Sequence, residues 1–175
     1  MGKRRTFTAS FSIRTDSPRT NVFWDCRRAL AEIRRVLKSG GVASFVAWGP
    51  VEQNEYLRTV MGPFKKRQPM PVPPPDAPQP YRFSAPGSLT AELRGAAFSN
   101  VLEETRTVRV IWPGPPDELW KRQYEISAPL RPYFNSFAPD AFAQATQEVI
   151  TALTGFFDGR EVIARAAIVV AAAMK

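Results

Sequence analysis

Histidine is absent from this 175-residue chain, and cysteine occurs once, as Cys26. Without histidine the usual zinc and copper ligand sets cannot be assembled, and one thiol cannot close a disulfide within the chain. No metal site is expected, and the thiol usage fits a reducing cytoplasm. Long apolar runs are missing too. The longest, 166–174, holds nine residues, against the roughly 20 that a helix needs to cross a bilayer, so no membrane partner is expected.

Charge is present in excess of one sign, a net +8, but it is unevenly spread. Residues 1–38 hold ten Lys/Arg against Asp16, Asp25 and Glu32, whereas the remainder holds 14 against 13. A near-neutral body behind a basic section reads as a solvated leader and helix face rather than a groove for phosphates, so no nucleic-acid partner is expected. Met1-Gly2-Lys3-Arg4-Arg5-Thr6 matches the outline of a myristoylation site and Arg4-Arg5 that of a twin-arginine signal. Residues 8–16 lack the apolar core of an export signal, and 1–20 are read as a basic leader without fixed structure.

From residue 25 the pattern is regular. Ala29, Leu30, Ile33, Val36 and Leu37 recur at three- and four-residue spacing, with Arg27, Arg28, Arg34, Arg35 and Lys38 facing the other way. This predicts an amphipathic helix with Asp25 as N-cap and Gly40-Gly41 supplying the left-handed ending. Residues 42–48 are apolar on both faces and stop at Gly49-Pro50, as for a strand buried within a parallel sheet. A short strand at 20–24 is the candidate partner that precedes the helix. A helix over 51–64 follows, then a loop at 67–80 in which seven prolines forbid regular structure. Ser88 is read as the cap of a helix ending at Gly95, 101–112 as a long strand, 113–157 as a helical insertion and 162–172 as a last strand. The order is that of an α/β fold.

The segment Asp25-Cys26-Arg27-Arg28-Ala29-Leu30-Ala31-Glu32-Ile33-Arg34-Arg35-Val36-Leu37-Lys38-Ser39-Gly40-Gly41 closely resembles the A-L-x-E-I-x-R-V-L-K-P-G-G helix that precedes the fifth strand in class I S-adenosylmethionine-dependent methyltransferases of the ubiquinone/menaquinone-biosynthesis type. Residues 47–54 resemble the strand end and turn of a subgroup, and 89–101 the family's L-x-x-x-L-x-x-A-G-F-x-x-V step, with Ala97 where glycine is usual and Ser39 where proline is usual. The resemblance covers residues 21–175. It implies a partial Rossmann-like methyltransferase sheet, the last parallel strand plus an antiparallel C-terminal strand pair, with helical insertions. The strands at 42–48, 101–112 and 162–172 correspond to the fifth, sixth and seventh, the seventh being antiparallel and inserted between the other two.

What the resemblance leaves out matters as much. The first four strands have no counterpart, and G-x-G-x-G, the turn that approaches the cofactor, occurs nowhere in the sequence. The expectation is therefore a methyltransferase family member, S-adenosylmethionine-dependent and acting on a small molecule when complete, but incompetent alone. The alternatives are a non-catalytic binding or assembly module derived from such an enzyme, and a small binding protein with an apolar cleft. By the same analogy Phe23 and Trp24 lie near the cofactor, and Trp48, Asn54, Tyr56, Trp120 and Tyr124, with Tyr133 and Phe134 beside them, face the substrate. No catalytic residue is assigned, because methyl transfer asks mainly for positioning. The strand at 42–48 is expected to leave an apolar sheet edge open to self-association or to completion by another chain.

Overall fold

The computed structural model describes residues 8–12, 26–72 and 81–175. Its elements are β1 (Thr8–Ser12), α1 (Cys26–Val36), β2 (Val42–Trp48), α2 (Glu55–Arg67), α3 (Ser88–Gly95), β3 (Ser99–Trp112), α4 (Pro116–Ile126), α5 (Arg131–Asn135), α6 (Pro139–Thr154) and β4 (Val162–Met174). Among the described residues no helix is long and apolar enough to cross a membrane.

Four strands form one sheet in the order β1-β2-β4-β3. β1 runs parallel to β2, from Thr8 opposite Val42 to Ser12 opposite Val46. β4 runs antiparallel to β2, from Val42 opposite Met174 to Trp48 opposite Ile168. The last strand thus lies antiparallel between β2 and β3, as the expected α/β sheet requires. Two expectations are corrected. Part of the leader is a strand, and β2 is paired along both sides, so the open edge is not there; the outer strand on that side of the sheet is β3. The strand expected at 20–24 and the cap at Asp25 lie outside the described residues.

The chain divides into two compact units, the first comprising residues 1–50, 75–106 and 167–175, the second residues 51–74 and 107–166. In the first unit α1 and α3 pack on the sheet through Leu30, Leu89, Leu93, Phe45, Phe98 and Val169. Phe45 and Phe98 meet edge to face at 5.8 Å, a favoured aromatic geometry. Val36, expected on this apolar face, is 61% exposed. It lies roughly 80° around the helix from Cys26, outside the arc shared by Cys26, Leu30, Ile33 and Leu37. Gly40 takes the expected left-handed conformation at φ 71°. Lys175 then covers the helix end, its Nζ donating to the Leu37 and Arg35 carbonyls at 2.6 and 3.1 Å.

α3 differs in how it begins. Gly87, at φ 77°, is its N-cap, and the Ser88 hydroxyl donates backwards to the Ala85 carbonyl. The capping oxygens come from Glu103 on β3, which accepts from the Gly87 and Thr90 amides, both at 2.7 Å. The far end of α3 closes in a Schellman motif, with the Phe98 amide on the Leu93 carbonyl and the Ala97 amide on the Arg94 carbonyl.

The second unit is built around Phe64 of α2. Its ring lies 5.4 Å from Trp120, 5.0 Å from Phe134, 5.4 Å from Phe137 and 5.5 Å from Phe142. Leu119, Val149, Leu153 and Val162 complete this core. The expected helix over 51–64 is a 3-10 turn, Val51–Gln53, followed by α2, because Asn54 restarts the helix as its N-cap. β3 and β4 are long enough to carry residues of both units, and in β4 the buried parity changes where Ala166 and Ala167 are buried in succession.

Candidate functional site

In an α/β sheet, ligands are bound beyond the carboxyl ends of the parallel strands. β1 and β2 run parallel, and Trp48 is the last residue of β2. Its indole is half-buried. The turn after it is tight: the Gly49 amide donates to the Ala167 carbonyl at 2.9 Å, and a Cβ on Gly49 would stand 2.9 Å from the Ala167 carbonyl carbon. Glycine is needed there for close approach, so Trp48 is held by backbone pairing on one side and a steric stop on the other. Phe23 and Trp24, the candidates for the cofactor side, lie outside the described residues.

The other candidates belong to the second unit, where they are already engaged. Asn54 is 2% exposed, and its Oδ1 accepts from the Leu57 amide at 3.0 Å as the cap of α2. The Tyr56 hydroxyl donates to Gln123 Oε1 at 2.7 Å. Gln123 passes the chain on, its Nε2 donating to the Ser127 hydroxyl at 2.7 Å. Burial raises the Tyr56 pKa far above its usual value, so the phenol stays protonated and serves as a donor, not a base. Trp120 is 5% exposed and stacks on Phe64. Tyr124 lies 6.2 Å from Trp120 and 5.6 Å from Phe134, and the Arg131 guanidinium sits 4.8 Å from the centre of its ring. Tyr133 is buried as well and donates to the Gln68 carbonyl at 2.7 Å.

The structure therefore brings Tyr56, Trp120 and Tyr124 into one aromatic cluster, with Asn54 at the start of the helix that carries Tyr56. Three partners were not singled out from the sequence: Gln123, Ser127 and Arg131. Gln123 and Ser127 are four residues apart, a helical spacing that was available as a signal. Nothing in the sequence links either of them to Tyr56, 67 positions upstream of Gln123.

Two grooves follow α2. One, of about 510 Å³, is lined by Glu55, Arg58, Met61, Lys65 and Phe156 among others. The second, of about 750 Å³, runs between α2 and α6 past Lys66, Gln144, Gln147, Glu148 and Thr151. Neither suits a sulfonium cofactor that carries ribose hydroxyls and positive charge. The first presents Arg58 and Lys65, and the carboxylate of Glu55 already accepts from the Arg165 amide at 3.0 Å. In the second, Glu148 is engaged by Arg67 at 2.6 Å, which holds its carboxyl below the usual range. These two grooves do not fit S-adenosylmethionine. No group of three or more His, Cys, Asp and Glu among the described residues could hold a metal ion.

No protein-family model and no curated protein matches this chain. Similar solved structures include a provisionally assigned methyltransferase from Bacillus halodurans (TM-score 0.43, 16% identity, covering 96% of this chain and 63% of that one). The YcgJ protein of Bacillus subtilis aligns at TM-score 0.41 and 13% identity, over 88% of this chain and 60% of that one. Phosphoethanolamine N-methyltransferase 2 of Haemonchus contortus, solved with phosphomonomethylethanolamine and S-adenosylhomocysteine, aligns at TM-score 0.34 and 14% identity, over 86% of this chain and 30% of that one. The chain thus spans less than two thirds of the length of each of these structures, to which it bears a partial likeness.

Proposed function

We propose that this chain supplies the substrate-side part of a class I S-adenosylmethionine-dependent methyltransferase acting on a small molecule in the cytoplasm, and that it does not hold the cofactor by itself. One observation carries this reading: antiparallel β4 lies between β2 and β3, in the order that the family-like segment at 25–41 implies for the strands that follow it. Trp48, at the carboxyl end of β2, is the residue assigned to the substrate edge. Its role is to position and to exclude water, which is most of what methyl transfer asks of a protein.

A second reading is a non-catalytic binding or assembly module of methyltransferase descent. The engagement of Asn54, Tyr56, Trp120 and Tyr124 within their own unit favours it, since these side chains are committed to capping and packing.

Titration calorimetry of the purified, folded chain with S-adenosylmethionine, competed by S-adenosylhomocysteine, tests the main reading. No saturable heat is the expected result. Saturable, competed binding would overturn the claim that the chain needs help with the cofactor. Sequencing the transcript upstream of the Met1 codon separates the two readings. A frame encoding strand, G-x-G-x-G and helix, whose co-expression restores cofactor binding, supports the methyltransferase. A stable complex with a separate, complete methyltransferase supports the module.

A further inference from the structure

Gly62 stands in the interior of α2, where glycine weakens a helix relative to alanine through its greater freedom in the unfolded chain. Nothing in the packing of the described residues asks for it. A Cβ at Gly62 would meet no atom within 4 Å, and the left-handed backbone that favours glycine is found at Gly40, Gly87 and Gly159 instead. The space over Gly62 opens into both grooves of the second unit, which share Arg58, Thr59 and Gly62 in their walls.

The row that holds Gly62 is cationic. Arg58, Gly62 and Lys65 follow one another at four- and three-residue spacing, so they share one face of α2, with the two cations about 10.5 Å apart along its axis. Both are exposed, and no carboxylate among the described residues pairs with either. Lys65 suits the negative end of the helix dipole, but Arg58, near the positive end, has no such reason to be there. It gives one N–H to the Glu52 carbonyl at 2.9 Å. The acids nearby are engaged, Glu55 by the Arg165 amide and Glu148 by Arg67. Beside this row the first groove, of about 510 Å³, has an apolar wall of Val51, Leu57, Met61 and Phe156, and that volume is in the range of small-molecule sites.

We propose that the first groove binds a small amphipathic anion, a single carboxylate or phosphate head on an apolar body, with the head over Gly62 between Arg58 and Lys65. Charge-assisted hydrogen bonds from the guanidinium and the ammonium hold the head. The body lies on Val51, Leu57, Met61 and Phe156, where it leaves water. Glycine at position 62 admits the head, because a larger side chain there would stand between the two cations. A neutral molecule of the same shape loses the contribution of the head, and a cation meets like charge. The site lies wholly within the second unit, shares no residue with the edge at Trp48 and does not rest on the methyltransferase reading.

Titration calorimetry of the full chain with octanoate and with octyl phosphate, each below its micelle concentration, is expected to give saturable binding with Kd below about 1 mM for at least one of them. Octanol is expected to bind at least about tenfold more weakly, and octyltrimethylammonium more weakly still. Arg58→Gln and Lys65→Gln should each raise the Kd of the anion about tenfold and leave octanol unchanged. Gly62→Leu moves two readouts in opposite senses. It should raise the denaturation midpoint, since leucine is the better helix former, and raise the Kd of the anion at least about tenfold, since it fills the space between the cations. Failure of both anions to saturate the folded chain overturns the proposal, as does octanol binding as tightly as they do. So does a folded Gly62→Leu or Lys65→Gln chain that binds like the parent. Binding to anionic phospholipid vesicles, with none to either anion in solution, would assign the cations to a membrane surface and overturn it as well.

Discussion

Glu103 and Thr90 meet twice: Oε2 of the glutamate accepts from both the amide and the hydroxyl of Thr90, each at 2.7 Å. With the Gly87 amide on Oε1 at 2.7 Å, one carboxylate of β3 serves the opening turn of α3 and faces the positive end of its dipole. Partial burial pushes the Glu103 pKa up, but the hydrogen bonds from Thr90 and Gly87 outweigh it and hold the group below the usual carboxylate range. Since the folded value is the lower one, the contribution is fully present above the unfolded value of about 4.3 and is lost as pH falls through the folded value. Glu103→Gln is expected to lower the urea midpoint at neutral pH, with the gap from the parent narrowing as the medium is acidified below about pH 4. A gap that does not change with pH would assign the effect to packing.

Ala97 stands at φ 62° in the closing turn of α3, at the position of a Schellman motif where glycine is preferred. An L-residue there costs roughly 1–2 kcal/mol, and glycine returns part of this through its greater unfolded-state freedom. Ala97→Gly is expected to stabilise the chain by about 0.5–1 kcal/mol, read as a rise in denaturation midpoint at unchanged slope.

Gly49→Ala works in the opposite sense. The new methyl would stand 2.9 Å from both the carbonyl carbon and the Cβ of Ala167, a residue only 1% exposed and paired through its backbone. Overpacking of this kind costs about 1–3 kcal/mol. Urea unfolding measures it, and a neutral result would show that the end of β2 can part from β4 without penalty.

Tyr56 and Phe64 distinguish a binding surface from a core. Tyr56→Phe leaves Gln123 Oε1 without its donor and is expected to cost about 1–2 kcal/mol, whereas Phe64→Ala empties the centre of the aromatic cluster and should cost about 3–5 kcal/mol. Thermal unfolding gives both values. If Tyr56→Phe were silent, the phenol would be available to a ligand after all.

Much of the architecture was legible along the chain. The helix over 26–36 announced itself by its apolar spacing and by the glycine that ends it, and the departure at Ala97 marked a position that does adopt a left-handed conformation. β2 was legible from a largely apolar segment, interrupted only by Ser44, between two glycine turns. β1 was not: Thr8-Ala9-Ser10-Phe11-Ser12 has no strong pattern and forms a strand beside β2.

Local periodicity by itself determined where α1, α3, β2, β3 and β4 lie to within a few residues, because propensity, glycine and proline act over short distances. Tertiary structure alone decided what the candidate side chains do. Asn54 became a cap, Tyr56 a partner of Gln123 and Trp120 a wall for Phe64. The cap of α3 passed from Ser88 to Glu103, a residue of the next strand. A polar or aromatic side chain has the same spacing signal whether it faces a ligand or a neighbouring helix, and only the contact made across the fold tells the two apart.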